Sequence, residues 1–338
     1  MKALQLQAAG KLALIETARP AIKEDELLVR TGAALICTSD INDVRENPFG
    51  IQLPAVIGHE GAGTVAEVGG KVNGFRVSDR IAAHPVHPCG RCDNCRSGMG
   101  HLCSAMGHFG ITMPGTFAEY FVVRADRART IPRTVSFPLA ALAEPVCVCL
   151  EALDQARLPA NGTLLILGDG PFGILIARLA RALPLAKVVV LGHHDFRLGF
   201  AANAERINAK KMADPIGAAR AETAGRGYDA AILGVGSARA VRDGSALLRP
   251  KGRFVVFSAI PGDTPVDLFN VHVKELEIVG ACNDNDRFSE AVSKLADPAL
   301  RLGEFITHRF PLVAYKDAFA LAERGREEAI KVAFTFEE

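Results

Sequence analysis

Over the first 145 residues, apolar and polar positions alternate in short runs. Glu26-Leu27-Leu28-Val29-Arg30, Gly63-Thr64-Val65-Ala66-Glu67-Val68, Arg80-Ile81-Ala82-Ala83 and Ala118-Glu119-Tyr120-Phe121-Val122-Val123 change character at or near every second residue. Gly and Pro bound them, and a period of two puts successive side chains on opposite faces of a strand. These runs predict a mostly antiparallel, partly barrel-like domain over residues 1–145.

The pattern then changes. Residues 139–156 predict a helix, followed by the continuous apolar run Thr163-Leu164-Leu165-Ile166-Leu167 and a helix over 173–182. Lys187-Val188-Val189-Val190-Leu191 predicts a second strand and 196–209 a second helix. Ala230-Ala231-Ile232-Leu233, residues 252–257 and Leu276-Glu277-Ile278-Val279 continue the series. Short apolar strands separated by helices describe a parallel sheet covered on both faces, here over 146–285. A helix over 288–295 and the β-like Lys331-Val332-Ala333-Phe334 follow, and residues 286–338 are expected to return to the first domain. The fold class expected is a two-domain α/β protein.

Composition narrows the classes. A chain of 338 residues suffices for two buried cores. The net charge of +1, with no basic block, gives no field for a nucleic acid or an anionic membrane. The longest apolar stretch, 139–150, is broken by Glu144 and Pro145, so no membrane span is expected. No leader pattern opens the chain, and its eight cysteines are clustered rather than spread as in a disulfide scaffold. A reducing compartment, the cytoplasm, is the expectation.

Cys89-Gly90-Arg91-Cys92-Asp93-Asn94-Cys95 followed by Cys103 is a C-x2-C-x2-C-x7-C array. Each tight turn points two sulfurs at one centre, and four thiolates fill the tetrahedral shell of zinc. Such a shell leaves no position for substrate, so this site is expected to be structural. An iron–sulfur cluster is the alternative metal, though only the first three cysteines follow a ferredoxin spacing.

Three other residues offer a second site. Cys37 follows a β-like run, His59 and Glu60 lie between Gly58 and Gly61, and Glu144 interrupts an apolar helical segment. A buried carboxylate needs a cation or metal beside it. A thiolate, an imidazole and a carboxylate would leave one coordination position open, as catalytic zinc requires. The alternative is a small buried Cys37, a hydrogen-bonded core His59 and a surface Glu144.

Gly168-Asp169-Gly170-Pro171-Phe172-Gly173 satisfies G-x-G-x-x-G between a predicted strand and helix, the context of a dinucleotide site. The helix N-terminus adds free amides for a diphosphate. An NAD enzyme normally ends its second strand with an acid for the adenosine ribose. Here that position is Gly192, followed by His193, His194 and, further on, Arg197, all donors suited to a 2′-phosphate. The expectation is NADP(H), with NAD(H) left open because a small register shift would bring Asp195 to the ribose.

With these residues assembled, the chain resembles the zinc-containing medium-chain dehydrogenase/reductase family, most of all its sorbitol and threonine dehydrogenase branch. The resemblance spans nearly the whole chain. It is carried by Cys37-Thr38-Ser39-Asp40, Gly58-His59-Glu60-Gly61, the four cysteines, Ala143-Glu144-Pro145, the glycine motif and Ile306-Thr307-His308-Arg309-Phe310-Pro311-Leu312. It implies a GroES-like catalytic domain, a Rossmann-type nucleotide domain and two zincs per chain. Cys37, His59 and Glu144 would surround the catalytic ion, with Glu60 beside them and able to enter its shell. Cys89, Cys92, Cys95 and Cys103 would hold the structural ion. Ser39 matches the hydroxyl that takes the substrate proton, and Arg309 a residue near the cofactor.

The reaction implied is hydride transfer between a polyol, sugar alcohol or cyclitol and NAD(P). A threonine-type amino alcohol, or a zinc-independent quinone or enoyl reduction on the same fold, is the alternative. Arg45, Asn47, Phe49, His108 and Phe109 are candidates to line the substrate pocket. A homodimer or homotetramer is expected, since 276–280 resembles the edge strand that pairs relatives across a dimer. One departure stands out: relatives place a proton-passing histidine five residues after the zinc cysteine, where this chain has Asn42. An amide does not titrate near neutral pH.

Overall fold

The computed structural model describes residues 1–201, 203–260 and 262–336. The chain divides into two compact units. One comprises residues 1–147 together with 285–325 and the chain from Ala329 on; the other comprises 148–284 with Arg326–Glu328.

The first unit is built on a seven-stranded sheet. Its spatial order is Ala128–Thr130, Arg80–Ala83, Glu60–Val68, Glu26–Leu35, Lys331–Thr335 and Ile306–Pro311, with Tyr120–Arg124 also paired to Glu26–Leu35. All neighbours are antiparallel except the last two of that order. Tyr120–Arg124 shows the alternation expected, burying Phe121 and Val123 between half-exposed neighbours. Glu26–Leu35 is buried along nearly its whole length because strands pair with it from several directions. Leu27, Val29, Val65, Ile81, Phe109 and Phe121 fill one core. Leu4, Leu6, Ile57, Phe117, Leu312 and Phe334 fill another. At Gly63 the strands approach so closely that a Cβ would lie 2.1 Å from the carbonyl oxygen of Arg30.

The second unit is a six-stranded, wholly parallel sheet ordered Glu205–Asn208, Lys187–Gly192, Thr163–Leu167, Tyr228–Leu233, Leu248–Val256 and Glu277–Gly280. In chain order this is 3-2-1-4-5-6, the doubly wound arrangement that binds dinucleotides where the strand order reverses. Leu165, Val189, Ala231, Leu233 and Phe254 are buried in its core, which explains the unbroken apolar runs in the sequence.

Two expected helices differ. The helix over 139–156 is two helices, Phe137–Ala141 and Ala143–Gln155. Pro145 has no amide to donate and its ring crowds the carbonyl four residues back, so the first helix stops and a second starts. The helix over 196–209 is only Asp195–Gly199, followed by the strand Glu205–Asn208. Asn203 adopts a left-handed φ of 64°, which ends helical geometry. Ile207 then pairs beside Leu191 and is buried at the sheet edge. Among the described residues no helix is long and apolar enough to cross a membrane.

Candidate functional site

The four clustered cysteines converge. The sulfurs of Cys89, Cys92, Cys95 and Cys103 all lie within 4.8 Å of one another, and none is in a disulfide. Main-chain amides aim at them: Cys89 N and Ala105 N donate to Cys103 Sγ at 3.3 and 3.4 Å. Amides of Cys95 and Ser104 bring the Cys92 thiol down to about 5. Burial and the neighbouring sulfurs push Cys95 up to about 12. Four crowded sulfurs with amide donors pointing inward cannot all ionise unless a cation balances them, and a tetrahedral thiolate shell suits zinc.

The second cluster follows from strand register. Leu35 pairs with Glu60 across the antiparallel strands Glu26–Leu35 and Glu60–Val68. Cys37, two residues beyond, is thereby brought to His59 and Glu60, and one ligand atom of each lies within 4.8 Å of the others. Gly58 makes the turn into this strand with φ +96°, a value costly for any residue with a side chain. Cys37 also caps helix Thr38–Glu46, where Asp40 reaches back to accept from Cys37 N at 2.8 Å.

Asp40 does more than cap. Its other oxygen lies 3.2 Å from His59 Nδ1, which turns the opposite ring nitrogen toward Cys37. Burial works against charge on His59, but Asp40 and then Cys37 hold its proton affinity well above the ordinary range. An imidazole oriented by a carboxylate and set beside a thiol and a second carboxylate is a donor set suited to a metal cation.

Glu60 is fully buried and ion-paired. The Lys331 ammonium donates to its Oε2 at 2.7 Å and to its Oε1 as well. Burial opposes charge on Lys331, yet Glu60 first, with Cys37 and Glu144 also contributing, raises its pKa. Glu144, in the first turn of helix Ala143–Gln155, is buried and electrostatically close to Lys331. It is not among the atoms within 4.8 Å of one another in the Cys37–His59–Glu60 cluster. Among the described residues, then, the carboxylate drawn in with Cys37 and His59 is Glu60 rather than Glu144.

Ser39 is half-buried in the first turn of helix Thr38–Glu46, immediately beyond Cys37. Asn42 is exposed one turn on. The proposed pocket residues separate. His108 stands against His59, ring centroids 5.8 Å apart. Its Nδ1 meets Phe109 O at 2.8 Å and so carries the proton, which leaves Nε2 as an acceptor. Burial and the neighbouring His59 bring its pKa down to about 4. Phe109 is fully buried against His87 and Phe121. Asn47 spends its amide on both backbone groups of Ile51. Arg45 is exposed beside Glu46, and Phe49 is exposed. Of the five, only His108 adjoins the cluster.

In the second unit the glycine motif forms the turn between Thr163–Leu167 and helix Pro171–Ala180. Gly168 has φ +112°, and a Cβ on Gly173 would lie 2.1 Å from Gly168 O. Gly170 has no atom nearer than 4.0 Å to a would-be Cβ, so its face is open to a close ligand. Pro171 and Phe172 begin the helix, with Gly170 at its N-cap. These features fit a dinucleotide diphosphate. Gly192 ends strand Lys187–Gly192; His193 is exposed, and His194 and Arg197 are partly buried. Asp195, the other candidate for the ribose, instead accepts from Asn208 at 2.6 Å and pairs with Lys211. Arg309 is exposed on strand Ile306–Pro311 of the first unit.

Sequence reasoning missed the parts played by Asp40 and Lys331. Asp40 had a signal, its position three residues after Cys37 at a helix start, which is capping-box spacing. Lys331 had none, being 271 residues from Glu60.

Residues 23–133 match the model of the alcohol dehydrogenase GroES-like domain, and residues 171–297 that of zinc-binding dehydrogenases. The chain is 29% identical over 334 residues to sorbitol dehydrogenase of Bombyx mori, covering 95% of this chain and 94% of the relative. It is 31% identical over 272 residues to 2-dehydro-3-deoxy-L-galactonate 5-dehydrogenase of Pseudoalteromonas atlantica, with 80% of each covered. The crystal structure of an Escherichia coli CFT073 protein described as a short chain alcohol dehydrogenase, complexed with NADH, superposes with a TM-score of 0.92. Sequence identity there is 28%, over 99% of both chains.

Proposed function

The chain belongs to the zinc-binding medium-chain alcohol dehydrogenases, and from that premise we propose that it interconverts a polyol, sugar alcohol or cyclitol with its ketone or aldehyde. The observation that carries this reading is the convergence of Cys37, His59 and Glu60 within 4.8 Å, with Lys331 and Glu144 behind them. Zinc held by Cys37, His59 and a carboxylate, Glu60 or Glu144, would supply Lewis acidity to an alcohol oxygen, and NAD(P) on the glycine loop would take the hydride.

The chain's own residues do the rest. Asp40 fixes the ring of His59 so that Nε2 faces the site. With zinc bound, the Cys37 thiolate and the Glu60 and Glu144 carboxylates would exceed its two charges by one, an excess the buried Lys331 ammonium would offset, while Asp40 stays engaged with His59. Ser39 has its hydroxyl at the start of the helix, suited to receive the substrate proton. Gly168, Gly170 and Gly173, with Pro171 and Phe172, cradle the dinucleotide.

Hydroxyl-rich substrates are favoured because the groups around the cluster accept hydrogen bonds. Glu60, Glu144 and the Nε2 of His108 are acceptors, and a polyol offers many donors. An amino acid substrate would need a cation for its carboxylate, and Arg45 is an exposed partner of Glu46. Reduced thiols throughout suit a cytoplasmic location.

We infer a homo-oligomer from the end of the second unit's sheet. Among the described residues, strand Glu277–Gly280 has a neighbour on one side only, and Leu268, Phe269 and Val273 on the adjacent helix are 59–75% exposed. An open strand edge flanked by apolar side chains is what a second copy would cover. The test of the enzymatic reading is metal analysis together with a polyol and amino-alcohol panel run with both nucleotides. Two zincs per chain and polyol-dependent reduction of the nucleotide are expected. Wild-type turnover by Cys37→Ser would reject the assignment.

A further inference from the structure

The strand that should end in a ribose-binding acid ends in Gly192, but the glycine loop brings a carboxylate to the same place. A Cβ on Gly192 would lie 2.6 Å from Asp169 Cβ and 2.7 Å from its Oδ2. Asp169 and a side chain at position 192 therefore exclude each other. The Asp169 carboxylate accepts from His193 N at 2.7 Å and His194 N at 2.6 Å. It also meets the ring Nδ1 of His194 at 3.1 and 3.2 Å. Its side chain is only 8% exposed.

This arrangement differs from a ribose acid in a specific way. A ribose diol needs carboxylate lone pairs to donate to. Asp169 already spends Oδ2 on three N–H groups and shares Oδ1 with the ring. What it offers instead is a held turn. With Nδ1 occupied, the free edge of His194 is Nε2, facing away from the carboxylate and able to donate to an anion in the imidazolium form. The charged and titratable groups at this turn include Asp169, His193, Asp195 and Arg197, with Arg326 and Glu327 in turn beside Arg197. Asp195 is engaged by Asn208 and Lys211, and Arg197 is within electrostatic reach of Asp169.

We infer that Asp169 is the positioning residue of the cofactor's adenosine 2′ subsite: it excludes a strand-end acid and sets His194 to receive a 2′-phosphate. The inference rests on the dehydrogenase reading above and names its nucleotide as NADP(H). Asp169 touches the turn, not the reacting atoms, and acts through His194.

Isothermal titration calorimetry of the full chain with adenosine 2′-phosphate 5′-diphosphate and with ADP tests it, because these two probes differ only in the 2′-phosphate. Wild type is expected to bind the 2′-phosphorylated probe at least about tenfold more tightly, one charge-assisted contact's worth. Asp169→Asn should shrink that ratio by about fivefold or more while ADP affinity stays within about twofold. Gly192→Asp alone should weaken both probes, whereas Gly192→Asp with Asp169→Ala should prefer ADP. Equal or tighter ADP binding by wild type would overturn the inference and make Asp169 a relocated ribose acid. So would equal loss of both probes in Asp169→Asn, the mark of a merely structural loop. Failure of wild type to bind either probe would instead remove the dehydrogenase reading itself.

Discussion

The ion pair between Lys331 and Glu60 gives the sharpest mutational test of how the Cys37–His59–Glu60 cluster is built. The lysine side chain is 3% exposed and the glutamate 0%, and they meet through both carboxylate oxygens. Lys331→Met keeps the length and apolar stem of the side chain but leaves the Glu60 carboxylate buried beside Cys37 and near Glu144. Removing one member of a buried pair typically costs about 3–5 kcal/mol, since the remaining charge has no water and no counter-ion. At roughly 2–4 °C per kcal/mol for a domain of this size, the zinc-depleted protein should lose about 6–20 °C in its first unit's melting midpoint. Glu60→Gln in the same background removes the stranded charge, so the double variant should recover most of that loss. The double-mutant cycle, read by thermal melting of zinc-depleted protein, should give a coupling above about 2 kcal/mol. A loss under about 1 kcal/mol for Lys331→Met, with no rescue by Glu60→Gln, would refute the charge balance assigned to the site.

Further outcomes follow from the same structure. Cys103→Ser should lower bound zinc from two to one per chain by elemental analysis and open the 89–103 loop to protease; unchanged zinc content would remove the structural-site reading. Asp229 accepts from Thr163 N at 2.8 Å and Arg249 Nε at 2.7 Å; burial works to raise its pKa, but those donors lower it below the usual 3.8. The carboxylate's contribution is therefore present above pH 3.8 and drains as pH falls through the lowered value. Asp229→Asn should cost about 1.5–3 kcal/mol in urea at neutral pH, and that difference should shrink in acid below 3.8; a gap that stays constant there would contradict the assignment. Phe269→Asp with Ile278→Lys should shift the mass seen by light scattering toward the monomer, and an unchanged oligomer would place the interface elsewhere.

Local pattern carried a great deal of this protein. The parallel strands, the glycine turn and the four-cysteine loop are each determined within a few to about fifteen residues, because turn geometry, strand period and ligand spacing are local properties. The nucleotide sheet was legible for that reason, and so was the structural metal loop. Misjudged segments were those where tertiary context prevailed: 196–209 has helical composition, yet Ile207 gained more by burial beside Leu191 than by one further helical turn.

The Cys37–His59–Glu60 cluster divides in the same way. Cys37, His59, Glu60 and Glu144 were visible as residues, but their order around the site was decided by the pairing of Leu35 with Glu60 and by a lysine arriving from the end of the chain. Likewise, Gly192 told of a missing acid, while only the folded loop revealed that the Asp169 side chain fills the space a side chain at 192 would need. Sequence specifies what each segment can form and which chemistry it carries. Contacts between segments hundreds of residues apart depend on how whole sheets register, and a shift of one residue in that register would have put different side chains at the site.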